Sequence, residues 1–342
     1  MTKPGMSAET PIADHQPIPY RAWWGLLGCG LVMAVILVLA PYSAHIDFAP
    51  DEPGFVYYWV LPEPSAWTRL AAWLPYILHQ VAIWYLIAAA RKDRPKYIFG
   101  LHAHNLWALG INAFFILLHI AQTKLSYDGL AQDVHELSSM MSVVLMLFVI
   151  MLMENRRRGL IFGKSVPVLN QVGDVVRRYH GYYISWAIIY TFWYHPIEIT
   201  SGHLIGTFYM MMLLLQSSLF FTRFHVNRWW TATLEVFFVF HGAIVAYFMM
   251  QDSGGGPWSM FLFGGIAVFL VTQLHGLGLT RKSKWMVAVP LLVATAAYYI
   301  GTPEEFMGLP QQLLIRYIGV FILFGLLWLF LKPLGVMRAK AN

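Results

Sequence analysis

Cysteine is almost missing from this sequence: Cys29 is the only one in 342 residues. A single thiol builds neither a disulfide framework nor a thiolate metal site. Charge is scarce too. With 12% charged against 58% hydrophobic residues and a mean hydropathy of +0.57, the composition excludes an ordinary soluble globular chain. No G-x-G-x-x-G or G-x-x-x-x-G-K occurs, and the polar stretches are too short for a nucleotide-binding domain. A redox role would therefore draw on a membrane-soluble reductant or a separate redox protein. There is no internal repeat and no low-complexity tract beyond Gly254-Gly255-Gly256, which reads as an outer turn.

What the sequence has is apolar runs. They lie at roughly 23–42, 69–90, 100–122, 135–153, 181–197, 201–221, 229–250, 257–279, 285–302 and 311–331. Each is close to the ~20 residues that a helix needs to cross a bilayer. The expected fold is an all-α polytopic bundle of about ten transmembrane helices embedded in lipid. The runs 181–197 and 285–302 are the shortest.

Lys and Arg favour the cytoplasmic side of a membrane. With both termini inside, only Arg69, Lys124 and Arg316 of the 23 basic residues fall outside, while Asp47, Glu63, Asp128, Asp133, Glu198, Glu304 and other carboxylates lie there. The net charge of +6 then reflects topology, and a nucleic-acid partner has no support. The location this predicts is the cell inner (plasma) membrane, with many passes. The polar stretch 1–22 is too long for a usual signal-peptide n-region, so the first apolar run is expected to be a retained span. Three parts follow: a cytoplasmic tail 1–22, a membrane domain 23–222, and four further spans with a short tail over 223–342.

Thirteen histidines sit among these spans. His104 and His119 on the third run are fifteen residues apart, and His180 and His195 repeat that interval on the fifth. Fifteen helical steps advance about 22 Å and leave the two side chains about 60° apart, so each pair shares a face at opposite membrane depths. His104, Ala108, Ile111, Phe115 and His119 form one such face, and His180, Ile184, Ala187, Thr191 and His195 the other. The small residues would leave room for flat macrocycles. Paired imidazoles leave haem iron no open position, which favours electron transfer over oxygen binding. Arg177 and Arg178 before His180, and Lys124 after His119, stand where haem propionates would need cations.

On these motifs, His104-Asn-Leu-Trp through Leu118-His119 and Arg177-Arg178-Tyr-His180-Gly through Tyr194-His195-Pro196, the chain resembles the di-haem b-type membrane cytochromes. These include cytochrome b and the ferric-reductase-like transmembrane domain shared with NADPH oxidases. The resemblance covers roughly residues 70–222. It implies two haems b, an inner one on His104 with His180 and an outer one on His119 with His195. It also implies electron transfer across the membrane from a quinol or flavoprotein to an acceptor at the opposite face. The flavin and nicotinamide module of many such reductases has no counterpart here, nor do the last four spans in the six-span core.

Two other classes fit parts of the pattern. His119, His135, His195, Glu198 and His203 could converge at the outer face as a non-haem Fe, Zn or Cu site, making the protein a membrane metalloenzyme, an oxygenase or a hydrolase. A transporter or structural membrane protein is the third class, although broken mid-membrane helices and paired repeats are not evident. Glu235, His241, His79 and His275 form a further polar set, suited to a proton path, a quinone pocket or hydrogen bonds between helices.

Overall fold

A computed structural model of the chain describes residues 21–42, 46–48, 57, 59–93, 95–249 and 258–335. The tail 1–20, His15, His45 and Gly254-Gly255-Gly256 lie outside the described residues. Among those described, the architecture is all-α, with ten helices and no strand. They are α1 (Ala22–Leu39), α2 (Ala66–Asp93), α3 (Ala103–Leu125), α4 (Glu136–Arg158) and α5 (Asn170–Tyr194). Then come α6 (Ser201–Ser218), α7 (Arg228–Met249), α8 (Trp258–Gly276), α9 (Arg281–Gly301) and α10 (Gly308–Leu331).

Eight of these, all but α5 and α6, are long and apolar enough to cross a membrane. In lipid a helix satisfies its own backbone groups, which is why such runs become helices. Large side chains such as Leu31, Leu70, Trp107, Phe114 and Leu326 point outward as lipid-facing residues would. The chain is a helical integral membrane protein.

The two excepted helices are packed among others. α5 packs against α4, α2 and α6. Its Asp174, Arg177, Arg178 and several tyrosines lower its hydropathy, and Ser185, Ala187, Tyr190, Trp193 and Tyr194 are buried against protein. It begins at Asn170, well before the apolar run at 181, and is 25 residues long. Asn155 Nδ2 donates to Asn170 Oδ1 (2.9 Å) and holds that start against the end of α4. α9 likewise exceeds its expected bounds, and only Tyr299 on it is buried, so it lies at the periphery.

A polar network ties the interior together. His79 on α2 lies 2.7 Å from Asn112 Oδ1 on α3 through Nε2, and its Nδ1 accepts from Trp193 Nε1 on α5 (3.2 Å). Asn112 Nδ2 in turn donates to Ser218 Oγ on α6 (2.7 Å). Every buried member has a partner, so the network fixes how four helices sit together.

The last four helices join this bundle without a break. Trp230 and Leu234 of α7 belong to the same apolar core as Ile116, Trp193 and Leu214. α10 packs on α8 and α4, around Phe148, Leu152 and Val320. A π-helical turn, Phe269–Gln273, interrupts α8. It has a definite partner: the backbone N–H of Phe162 in the α4–α5 loop donates to the carbonyl of Val271 (2.8 Å), and Thr272 Oγ1 donates to that of Leu160 (3.0 Å). The altered ladder thus receives the loop backbone.

Candidate functional site

The expected opening of the fifth span at His180 does not hold: α5 begins ten residues earlier, so His180 stands mid-helix and His195 just past the last residue. His180, one turn after Arg177, donates through Nδ1 to the Arg177 carbonyl (2.7 Å). That bond fixes the tautomer and leaves Nε2 as a free lone pair, the state in which imidazoles bind metals. His195 follows the last residue of α5, and Pro196 stops the helix there. Its Nδ1 is buried and has no hydrogen-bond partner.

The α3 histidines differ. His104 Nε2 lies 3.2 Å from Asp93 Oδ2 at the end of α2, and no hydrogen bond or ring contact joins it to His180 among the described residues. His119 is fully buried, and both ring nitrogens are engaged. Nε2 donates to the carbonyl of His195 (2.9 Å) and Nδ1 lies 3.0 Å from Gln122 Oε1. The structure therefore brings His119 to His195, but through its backbone. Along the face between His104 and His119, Phe115 stacks on the His79 ring (4.4 Å, 10°) and Ala108 is fully buried.

Two of the three cations expected near propionates, Arg177 and Lys124, have protein partners. Arg177 Nε donates to the carbonyl of Met153 (3.1 Å), a C-terminal carbonyl of α4, and the Arg178 carbonyl accepts from Arg91 Nη1 (2.7 Å). The Arg178 side chain is exposed, and Lys124 lies within electrostatic reach of Glu198.

Of the five residues grouped at the outer face, the structure gathers three. His195 and His203 rings are 6.1 Å apart at 79°, and His119 is bonded to His195. His203 is engaged on both sides, by Tyr57 Oη at Nε2 (2.9 Å) and Thr200 Oγ1 at Nδ1 (2.7 Å). His135 is instead exposed and caps α4, its Nδ1 accepting from Leu137 N–H (3.2 Å). Glu198 faces Tyr127 and Lys124. Among the described residues, no three His, Cys, Asp or Glu side chains group as they would around a metal ion.

Two further histidines lie close by. His241 on α7 is within electrostatic reach of His195 and His203, and its Nδ1 is buried without a partner. His225, in the loop before α7, lies with its ring 6.3 Å from that of His180 at 30° between planes. It donates through Nδ1 to the carbonyl of Gln216 (2.9 Å), and burial, with the neighbouring His180, holds its imidazole down to about 4, so it is neutral at pH 7. Both were visible in the sequence as histidines sixteen residues apart, but His225 precedes the helix, where no periodicity speaks for it. Glu235, in the polar set with His241, pairs instead with Arg158. His275 Nδ1 lies 3.5 Å from Lys284 Nζ.

Comparison of the chain with protein-family models, with curated proteins and with solved structures gives no match.

Proposed function

We propose that this protein carries electrons across a membrane on b-type haem ligated by His180 and His195. The observation that carries the reading is α5 itself, a helix packed against α2, α4 and α6 with one imidazole at its middle, His180, another just past its last residue, His195, and an unshared ring nitrogen on both. A structural histidine in a membrane normally has its nitrogens satisfied, as His79 and His119 do. The donor chemistry therefore fits a haem iron. Bound haem supplies a one-electron couple between ferrous and ferric iron. The protein's part is to fix the ligand rings, and the Arg177 carbonyl does this for His180. Arg177, Arg178 and Lys124 would supply the cations for propionates. Residues along α5 between the histidines, including Trp186 stacked on Tyr190 (5.3 Å, 8°), keep the two levels apart and dry.

In this reading α5 and α6 complete ten spans, both termini face the cytoplasm, and the membrane is the cell's inner one. A quinol or a separate flavoprotein delivers the electrons. Proteoliposomes with ferricyanide trapped inside and dithionite outside test the proposal. Interior reduction above that of empty vesicles, lost on His180→Ala, is expected. A rate equal to empty vesicles would refute it.

A further inference from the structure

Among the described residues two arginines are buried, and they differ in their partners. Arg158 on α4 holds Glu235 and Glu154. Arg316 on α10 is 8% exposed and has neither a hydrogen bond nor an ion pair among the described residues. It stands eight residues after the start of α10 and fifteen before its end. Eight helical steps advance about 12 Å, well inside a hydrocarbon core of ~30 Å. An unpaired guanidinium at that depth is costly, and an ionisable residue within a span marks a place where something binds or passes.

The face of α10 that carries Arg316 is turned toward α8 and α4. One turn earlier, Gln312 lies on the bare backbone of Gly264, where an added Cβ would stand 2.7 Å from Gln312 Cβ. One turn later, Val320 is fully buried with Phe148 and Leu152. Met260 beside Gly308, Gly264 beside Gln312 and Thr272 beside Tyr317 show that α8 and α10 run side by side in the same direction. Arg316 therefore lies level with the π-helical turn Phe269–Gln273, a kind of interruption frequent at functional sites. The Gln312 amide has no hydrogen bond among the described residues either. Nearby polar groups are already taken: Tyr317 Oη meets Thr272 Oγ1 (2.8 Å), and the Glu305 carboxylate accepts from Ser259 and from Tyr298 Oη (2.8 Å). No nitrogen of Arg316 is among the sealed unpartnered atoms, so each keeps contact with open space.

We infer that Arg316 and Gln312 bind a carboxylate inside the membrane, on the seam between α8 and α10. The guanidinium fork matches the two oxygens of a carboxylate, and the Gln312 amide one turn away can donate to one of them. One carboxylate charge neutralises one arginine, whereas a phosphate monoester would leave excess charge in the interior. The burial of Arg316 admits only a small head group, that of a water-soluble carboxylate or of a fatty acid. The site requires no haem and does not rest on the reading above.

Thermal unfolding of the full-length protein in detergent tests the site, with sodium formate as the probe, sodium chloride at equal ionic strength as the control, and oleate as a second arm. Formate should raise the midpoint in a saturable way, and chloride should not. Arg316→Gln removes an unpaired buried charge, so without ligand it should unfold at or above the wild-type midpoint, and it should bind formate about tenfold or more weakly. Arg316→Lys keeps the charge without the fork and should fall between the two. Saturation by oleate that displaces formate supports the site with a fatty acid as its source, and a response to formate alone supports it with a soluble carboxylate. An equal shift in chloride, a full formate response in Arg316→Gln, or no response to either carboxylate would overturn it. So would an Arg316→Gln protein that unfolds well below wild type, since the arginine would then be serving the fold.

Discussion

Gly206 on α6 presses the His241 ring of α7 against bare backbone: a Cβ added there would stand 3.0 Å from Cε1 and 3.4 Å from Nε2. The ring cannot move without opening the α6–α7 contact. Gly206→Ala should destabilise the protein by about 1–3 kcal/mol, the usual cost of overpacking a tight site. Gly202, four residues earlier on the same helix, has nothing within 4 Å of such a Cβ, so Gly202→Ala should be neutral or slightly stabilising. Thermal unfolding in detergent compares them, and equal midpoints would contradict the close approach.

His79 is structural on this account. Replacing it by Leu leaves Asn112 Oδ1 and Trp193 Nε1 without partners in the interior, at about 1–3 kcal/mol for each stranded group. His79→Leu should thus lower the midpoint while leaving haem per chain unchanged. Loss of haem in a stable variant would show that His79 serves the cofactor.

Arg158 on α4 holds Glu235 on α7 through Nη1 contacts of 2.6 and 2.7 Å and also contacts Glu154 (3.1 Å). Removing one partner of a buried ion pair strands the other charge, so Arg158→Ala, which leaves Glu235 alone, should cost about 3–5 kcal/mol, and Glu235→Ala, which leaves Arg158 with Glu154, should cost less. Arg158→Met combined with Glu235→Leu should recover most of that loss. Unfolding free energies of the single and double variants decide this, and additive losses would argue against a direct pair.

Asp128, in the loop after α3, gives a pH test. Burial holds its carboxyl above the ordinary range, opposed in part by the Gly129 N–H that donates to Oδ1 (2.8 Å), and Oδ2 has no partner. A carboxyl whose pKa is raised by folding favours the folded state when protonated. Stability therefore falls as pH rises from the unfolded value through the folded one, and then levels off. Asp128→Asn should raise stability at pH 7 by about 1 kcal/mol, and the gain should vanish below about pH 3.5, where the unfolded carboxyl is protonated as well. A gain independent of pH would place its cause elsewhere.

Much of this architecture was legible in the residues. The apolar runs located the ten helices of the described residues, eight of which are long and apolar enough to cross lipid. The fifteen-residue interval pointed to α5, but the shared face it implies needs a helix throughout, and His195 stands past the last helical residue in extended backbone. The same interval on α3 carried less, because spacing says nothing of tertiary partners. His104 meets Asp93 across the α2–α3 turn, and His119 is captured by the backbone of His195. The start of α5 was hidden by Asp174, Arg177 and Arg178, which resemble a loop until α4 and α6 are seen to cover the helix. His225 and His241 acquire neighbours only through packing, the first against the His180 ring and the second against Gly206.

The ratio of haem to polypeptide in the purified protein tests the central claim most directly. Pyridine haemochrome absorbance set against quantitative amino-acid analysis gives that ratio without assuming a donor or an acceptor. Two protohaems per chain are predicted, falling to one in His180→Gly or in His195→Gly. A folded, monodisperse protein with no haem would contradict the account.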